Sequence, residues 1–385
     1  MYTIIDYLNY YKNKSLRENQ WNVIDNLIFS VLAYLPLETF SGVKSMPNFC
    51  EYAENFRDRQ DESNMAPTSF KIFDLVKNTN RYRNLEIYNF ENIRTNSAQF
   101  GAMTLRTGRE TIILFKGTDN SFIGWIENMR TTYEYPTTTQ TMAVRYLEEN
   151  IKFLKDLNVY VVGHSKGGNL AMVAAMEAPD ILFNRIKTVY NFDGQGFRKK
   201  EFKSSKYERL AKKLYTFVPS KSIVGILMYN RVYRVVGSNS VSRNTEHYPT
   251  SWKVFGEFLV DGKLSRGSII LHERSTKGIE DMNYEKTKEA FETLFENIEN
   301  NIGQKFIENI NISFDNIAHM FKSMKNIEPE YQESINNIFE TMTGIDLTSR
   351  AIPTLNLRKT SMGLRPSINI AMKKNAELNT SKKDD

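Results

Sequence analysis

One ten-residue segment constrains this chain more than any other: Val159-Tyr160-Val161-Val162-Gly163-His164-Ser165-Lys166-Gly167-Gly168. β-Branched and aromatic residues run into Gly-x-Ser-x-Gly, and residues 169–176 follow with helical character. A strand, a sharp turn and a helix must meet within these few residues, which is the setting a nucleophile elbow requires. The small residues two before and two after Ser165 let strand and helix approach closely, and the tight turn lifts the hydroxyl above the sheet. The helix opens at the serine, so backbone N–H groups and the positive helix end face the reacting oxygen. Ser165 is therefore expected to be an acyl-transfer nucleophile rather than part of an ordinary glycine turn.

At 385 residues, the chain is long enough for one large α/β domain and an appendage. Its 41% hydrophobic and 12% aromatic content argue for a folded core. The single Cys50 excludes an intramolecular disulfide framework and fits a reducing cytoplasm. The N-terminus lacks a basic region followed by an apolar core, so no signal peptide is expected. No apolar run approaches the roughly 18 residues of a membrane span. A net charge of +6 suits anionic lipid or acidic substrates, and serves solubility equally.

Apolar residues at helical spacing predict a helix over residues 21–37, ended by Pro36. Residues 41–95 read as polar and irregular, with one or two helices. A hairpin is expected for 102–105 and 111–115 around Thr107-Gly108-Arg109-Glu110. Helices follow at 142–157 and 199–213, and strands at 188–192, 214–218 and 232–236. A terminal hairpin is expected from 252–260 and 268–271 around Asp261-Gly262. Strands alternating with helices predict an α/β fold, a mostly parallel sheet with helices on both faces. Beyond Gly278 the composition changes, and Phe291, Leu294, Phe295, Ile298 and Ile302 begin an apolar stripe that runs through residues 283–343. From about 347 lysine and arginine dominate until Asp384-Asp385. The expected division is 1–278, 279–346 as a helical appendage, and 347–385 as a basic flexible tail.

A serine is a weak nucleophile until a base takes its proton. Of the four histidines, His164 adjoins the serine and reads as a packing residue behind the elbow. His319 lies among the C-terminal helices, and His272 ends the expected strand 268–271. His247 sits in Asn244-Thr245-Glu246-His247-Tyr248-Pro249, a polar loop after the last alternating strand, and is the expected base. The orienting acid should lie between serine and histidine. Asp180, Glu201, Glu208 and Glu246 read as helix-end, solvated or badly placed carboxylates. Asp193 stands at the carboxyl end of a strand before Gly194-Gln195-Gly196, where catalytic groups collect; a turn aspartate bonding its own backbone is the alternative. The oxyanion hole needs the N–H after the nucleophile, on Lys166, and one from an earlier strand–helix loop. Thr118, in Lys116-Gly117-Thr118-Asp119 after a buried-strand run, fits that second place, although Gly-Thr-Asp is also a common turn.

Phe115-Lys116-Gly117-Thr118-Asp119 with Trp125 downstream, together with Gly163-His164-Ser165-Lys166-Gly167-Gly168-Asn169-Leu170-Ala171, resembles the class 3 (fungal-type) lipases. Asn191-Phe192-Asp193-Gly194-Gln195-Gly196-Phe197, the run Phe217-Val218-Pro219-Ser220-Lys221-Ser222-Ile223-Val224-Gly225, and His247 before Ser251-Trp252 are more similar still to the bacterial Mbeg-like α/β hydrolases. The resemblance spans about residues 22–258. It implies an α/β-hydrolase fold, a Ser–Asp–His triad and an oxyanion contribution from Thr118. The chain departs from the lipases at Lys166, where they usually carry a small or apolar residue. It also departs at Pro219-Ser220-Lys221-Ser222, which offers no carboxylate where their acid often stands.

These features point to a cytoplasmic serine hydrolase acting on a carboxylic ester, with Ser165, Asp193 and His247 as triad and Thr118 and Lys166 as oxyanion donors. No metal or organic cofactor is implied, and no specific nucleic acid is expected as partner. A lipid-type ester is favoured by the apolar residues 223–228, which read equally as an acyl pocket or lid and as a buried helix turn. The C-terminal stripe must be buried against the catalytic domain, another subunit or a membrane, and the basic tail suits an anionic membrane. The alternative from another class is a catalytically silent binding or regulatory module on the same scaffold.

Overall fold

The computed structural model describes residues 2–302 apart from 96, 109, 120–121, 152–157, 232, 241 and 281–282. In chain order its elements begin with α1 (Ile4–Tyr11), α2 (Val23–Leu32), β1 (Phe40–Ser45), α3 (Met46–Glu54), α4 (Ala66–Val76) and β2 (Glu86–Arg94). The hairpin β3 (Gln99–Arg106) and β4 (Glu110–Phe115) leads to α5 (Phe122–Arg130) and α6 (Thr138–Asn150). Then come β5 (Asn158–His164), α7 (Lys166–Glu177), α8 (Asp180–Phe183), β6 (Ile186–Phe192), α9 (Lys199–Phe202), α10 (Ser205–Ala211), β7 (Leu214–Pro219) and β8 (Arg234–Val236). Last are α11 (Arg243–Glu246), β9 (Val254–Phe255), β10 (Phe258–Leu259), α12 (Arg266–Glu280) and α13 (Tyr284–Ile302).

Strands β1 to β8 form one sheet in sequence order. The pairs from β1 to β4 are antiparallel, and those from β4 to β8 are parallel. Period-two alternation splits each central strand between two cores. Ile112, Leu114, Tyr160 and Val162 face α2, whose Leu27, Ile28 and Val31 are fully enclosed. Ile113, Phe115, Val159 and Val161 face the opposite side, against α6 and α7. Helices on both faces of a central parallel sheet give the α/β-hydrolase architecture, and leave the carboxyl ends of β4 to β7 free to carry a site. Helix α2 starts at a reciprocal cap, in which Asn22 accepts from the Asp25 N–H and Asp25 accepts from the Asn22 N–H. At about 1.5–3 kcal/mol per enclosed aliphatic side chain, this face is a main source of stability.

Three expectations need correction. Residues 41–95 hold two strands: Glu86, Asn89, Glu91 and Asn92 break the apolar alternation of β2, and its pairing with β3 decides the structure. The expected helix 199–213 is two helices, because Ser204 caps α10 by accepting the Tyr207 N–H. Residues 268–271 are not a strand. They open α12, where Ser268, Leu271, Ser275 and Ile279 turn inward at a helical period. The true terminal hairpin is the short β9–β10 pair, turned at Gly256 with φ +58°. Helix α6 ends at Asn150, with Ile151 already extended, and residues 152–157 of the expected helix lie outside the described residues, as do His319, the stripe beyond residue 302 and the basic tail. Among the described residues no helix is long and apolar enough to cross a membrane.

Candidate active site

The parallel register sets Ser165 and Asp193 side by side. Gly163 pairs with Asn191 and His164 with Phe192, so each candidate stands one residue past the end of its strand. Each extends the ladder by one bond: Ser165 N–H donates to Phe192 O at 2.9 Å, and Asp193 N–H to Phe217 O at 2.8 Å. Both have a left-handed backbone, with φ +58° at Ser165 and +54° at Asp193. For residues other than glycine this conformation is costly, by on the order of 1–3 kcal/mol, and it persists where the surroundings enforce it. At the elbow the enforcement is close packing. A Cβ on Gly163 would stand 1.9 Å from Gly167 O, and one on Gly167 would stand 2.1 Å from Phe115 O.

Asp193 is fully buried and does not bond its own backbone. Its Oδ2 lies 2.6 Å from His247 Nδ1, while Oδ1 accepts from Ser222 Oγ–H at 2.5 Å and Gly225 N–H at 3.0 Å. Three hydrogen bonds fix the orientation of this carboxylate against the imidazole. Asn191 holds the turn from below, bonding both the N–H and the carbonyl of Gly194. The competing carboxylates are engaged elsewhere: Asp180 with Arg209, Glu201 with Arg198, Glu208 with Arg231, and Glu246 with Lys221.

His247 follows α11, and its carbonyl is held by His164, whose Nε2 lies 2.8 Å away. His164 is enclosed, with its ring centroid 4.6 Å from that of His247. Burial, and then the nearby His247, push His164 well below the ordinary histidine range, so it is neutral. A neutral ring whose Nε2 faces a carbonyl carries its proton there, which leaves Nδ1 to accept from Tyr34 Oη at 3.0 Å. His164 is thus more than packing behind the elbow. His272 sits in α12 and its Nδ1 lies 2.6 Å from Ile226 O rather than against a candidate acid.

Thr118 follows β4, and its Oγ accepts from Asn128 Nδ2 at 2.8 Å. Lys166 opens α7, so its N–H belongs to the first helical turn, where no intrahelical acceptor exists. Its side chain turns away from the sheet edge into the interior, where Nζ donates to Gln99 O at 2.6 Å and Gln99 Oε1 at 2.7 Å. Burial pushes this ammonium down to about 8, against the pull of Glu127 and Asp119. Sequence reasoning missed Tyr34, Gln99, Asn128 and Ser222. Only Ser222 carried a signal, as part of the Phe217–Gly225 motif; the other three are ordinary polar residues on remote elements. Among the described residues no three His, Cys, Asp or Glu side chains gather as metal ligands would.

A family model described as Mbeg1-like matches residues 76–296, more than half of the chain. The chain belongs to the Mbeg1-like family. Its Mbeg1-like region takes in the whole parallel half of the sheet and ends within α13, past the expected boundary at 278. Among solved structures, M37 lipase is 15% identical, with 52% of this chain and 67% of that one covered at a TM-score of 0.33. A Rhizomucor miehei lipase propeptide complex is 14% identical, with 49% and 72% covered at a TM-score of 0.31. No curated protein matches the Mbeg1-like chain.

Proposed function

We propose that the protein is a serine hydrolase that cleaves a carboxylic ester of lipid type through an acyl-enzyme on Ser165. One contact carries the reading: His247 Nδ1 lies 2.6 Å from the enclosed Oδ2 of Asp193, at the strand edge that also presents Ser165. Ser165 Oγ attacks the ester carbonyl and passes its proton to His247 Nε2. Asp193 accepts from Nδ1–H, which keeps Nε2 bare for that proton and then stabilises the imidazolium. The backbone N–H groups of Thr118 and Lys166 hold the oxyanion. Because Thr118 Oγ already accepts from Asn128, its own O–H is left to donate as well. His247 returns the proton to the leaving alcohol, and water then releases the acid by the same steps.

The lipid-type substrate rests on the resemblance to the class 3 lipases; of the segment 223–228, Gly225 bonds Asp193, and Ile226, Leu227 and Met228 are buried under Leu271 and Ile279 of α12 as a packed turn. We place the protein in the cytoplasm, with divisions near 278 and 346, self-association through the C-terminal region, and contact between the basic tail and an anionic membrane. The start of the appendage packs on the catalytic domain through the buried Ile279 and through Phe291, whose ring stacks on Tyr133 at 5.6 Å.

Fluorophosphonate labelling tests the reading. The wild type should be labelled on Ser165 and should hydrolyse p-nitrophenyl esters. Ser165→Ala should do neither while melting at nearly the same temperature. An unlabelled wild type without esterase activity would instead mark a silent scaffold.

A further inference from the structure

We infer that Lys166 and Gln99 are positioning residues for the oxyanion donors: Lys166 Nζ holds the Gln99 amide, which holds the Gly117 carbonyl and so aims the Thr118 N–H. This rests on the ester-hydrolase reading and deepens it. An ammonium has only donors, so the Gln99 atom 2.7 Å from it is Oε1. Gln99 Nε2 then faces the Gly117 carbonyl at 3.4 Å, an acceptor. Chemistry at both ends therefore sets the orientation of the amide. The second bond from Nζ, to the Gln99 backbone carbonyl, anchors the ammonium to the first residue of β3.

The peptide between Gly117 and Thr118 is planar and trans, so its C=O and N–H point in opposite directions. Holding the Gly117 carbonyl fixes where the Thr118 N–H points. Gly117 needs that restraint. A Cβ there would stand 1.8 Å from Tyr34 Oη and 2.7 Å from His164 O, so only glycine fits. Glycine is also the residue whose backbone rotates most freely. Its carbonyl is held by Gln99, and the Tyr34 hydroxyl closes off the space against its α-carbon. Lys166 thus contributes twice: its backbone N–H is one oxyanion donor, and its side chain directs the other. Donors aimed in advance need no reorganisation when charge develops on the substrate oxygen. This accounts for a buried cation at the position where the lipases it resembles carry a small or apolar residue.

Gln99→Glu separates positioning from support. The carboxylate keeps the contact with Lys166 as an ion pair, but sets an acceptor against the Gly117 carbonyl and repels it. Its thermal midpoint should be unchanged or higher. On p-nitrophenyl butyrate, kcat should fall by on the order of 10²–10³, with KM within about threefold. Wild-type kcat in a folded Gln99→Glu protein would overturn the inference. Should that variant fail to fold, Gln99→Leu, which removes the hold without a new charge, should show the same kcat loss at constant KM. Retained kcat there overturns the inference equally. Crystallography gives a readout independent of turnover: the Gly117–Thr118 peptide should be turned in Gln99→Glu, and an unchanged peptide refutes the positioning role. A wild type inactive on every ester would sink the hydrolase reading alone and leave that structural comparison to decide.

Discussion

Replacing Lys166 with methionine should change how stability depends on pH. The ammonium is enclosed, and burial lowers it from 10.5 to about 8. An amine with a lower value in the folded state is protonated more readily in the unfolded chain. Between those two values the unfolded state binds more protons, so stability rises with pH through the window from about 8 to 10.5. At about 1.4 kcal/mol per pH unit, the full contribution is on the order of 3 kcal/mol. Methionine has similar length and no proton to lose, so Lys166→Met lacks this slope. Urea unfolding of both proteins at pH 7 and pH 10 isolates the effect, because every other titrating group is common to the two. Relative to the wild type, the variant should lose about 2–3 kcal/mol between the lower and the higher pH. At pH 7 its standing reflects two opposing effects: relief from a buried charge, and two Gln99 acceptors left without their donor. A difference that stays constant between the two pH values would show that the ammonium is not held in the interior as described.

Two further outcomes bear on the site and on the appended helices. Asp193→Asn should fold and keep an oxygen for Ser222 and Gly225, yet lose on the order of 10⁴ in kcat because the imidazole is held in the wrong tautomer; full activity in steady-state assays would exclude Asp193 as the acid. A chain ending at Gly278 should still hydrolyse a short soluble ester but melt at a lower temperature, because it loses the buried Ile279, Ala290 and Phe291 and uncovers Tyr133. An unchanged melting temperature would show that α13 adds nothing to the domain.

The left-handed backbones of Ser165 and Asp193 have a common cause. Each residue must leave its strand abruptly to present a side chain at the sheet edge while its own N–H completes a bond to the neighbouring strand. The cost falls on residues that small-residue packing holds from every side, as at Gly163, Gly167 and Gly225, where a Cβ would meet Gly167 O, Phe115 O and Asp193 Oδ1.

What the sequence determined by itself was the chemistry that depends on local spacing. The strand, elbow and helix around Ser165, the β3–β4 hairpin, the parallel strands β5 to β7 and the turn at Asp193 are each written in a short window, because period-two alternation, small residues and turn residues act over a few positions. Strand β2 was hidden because its polar residues follow no period, and only pairing with β3 makes it a strand. Helix α12 is not legible locally because Ser268 and the three apolar residues 269–271 satisfy a strand as well as a helix until Leu271 and Ile279 find the segment 226–228. Whether Asp193 bonds its own turn or His247 could not be settled by neighbours in sequence, since the partner lies 54 residues away. The same holds for Tyr34, Gln99 and Asn128: a hydrogen bond requires atoms about 3 Å apart, and that proximity is set by how α2, β3 and α5 pack around the sheet edge rather than by any pattern along the chain.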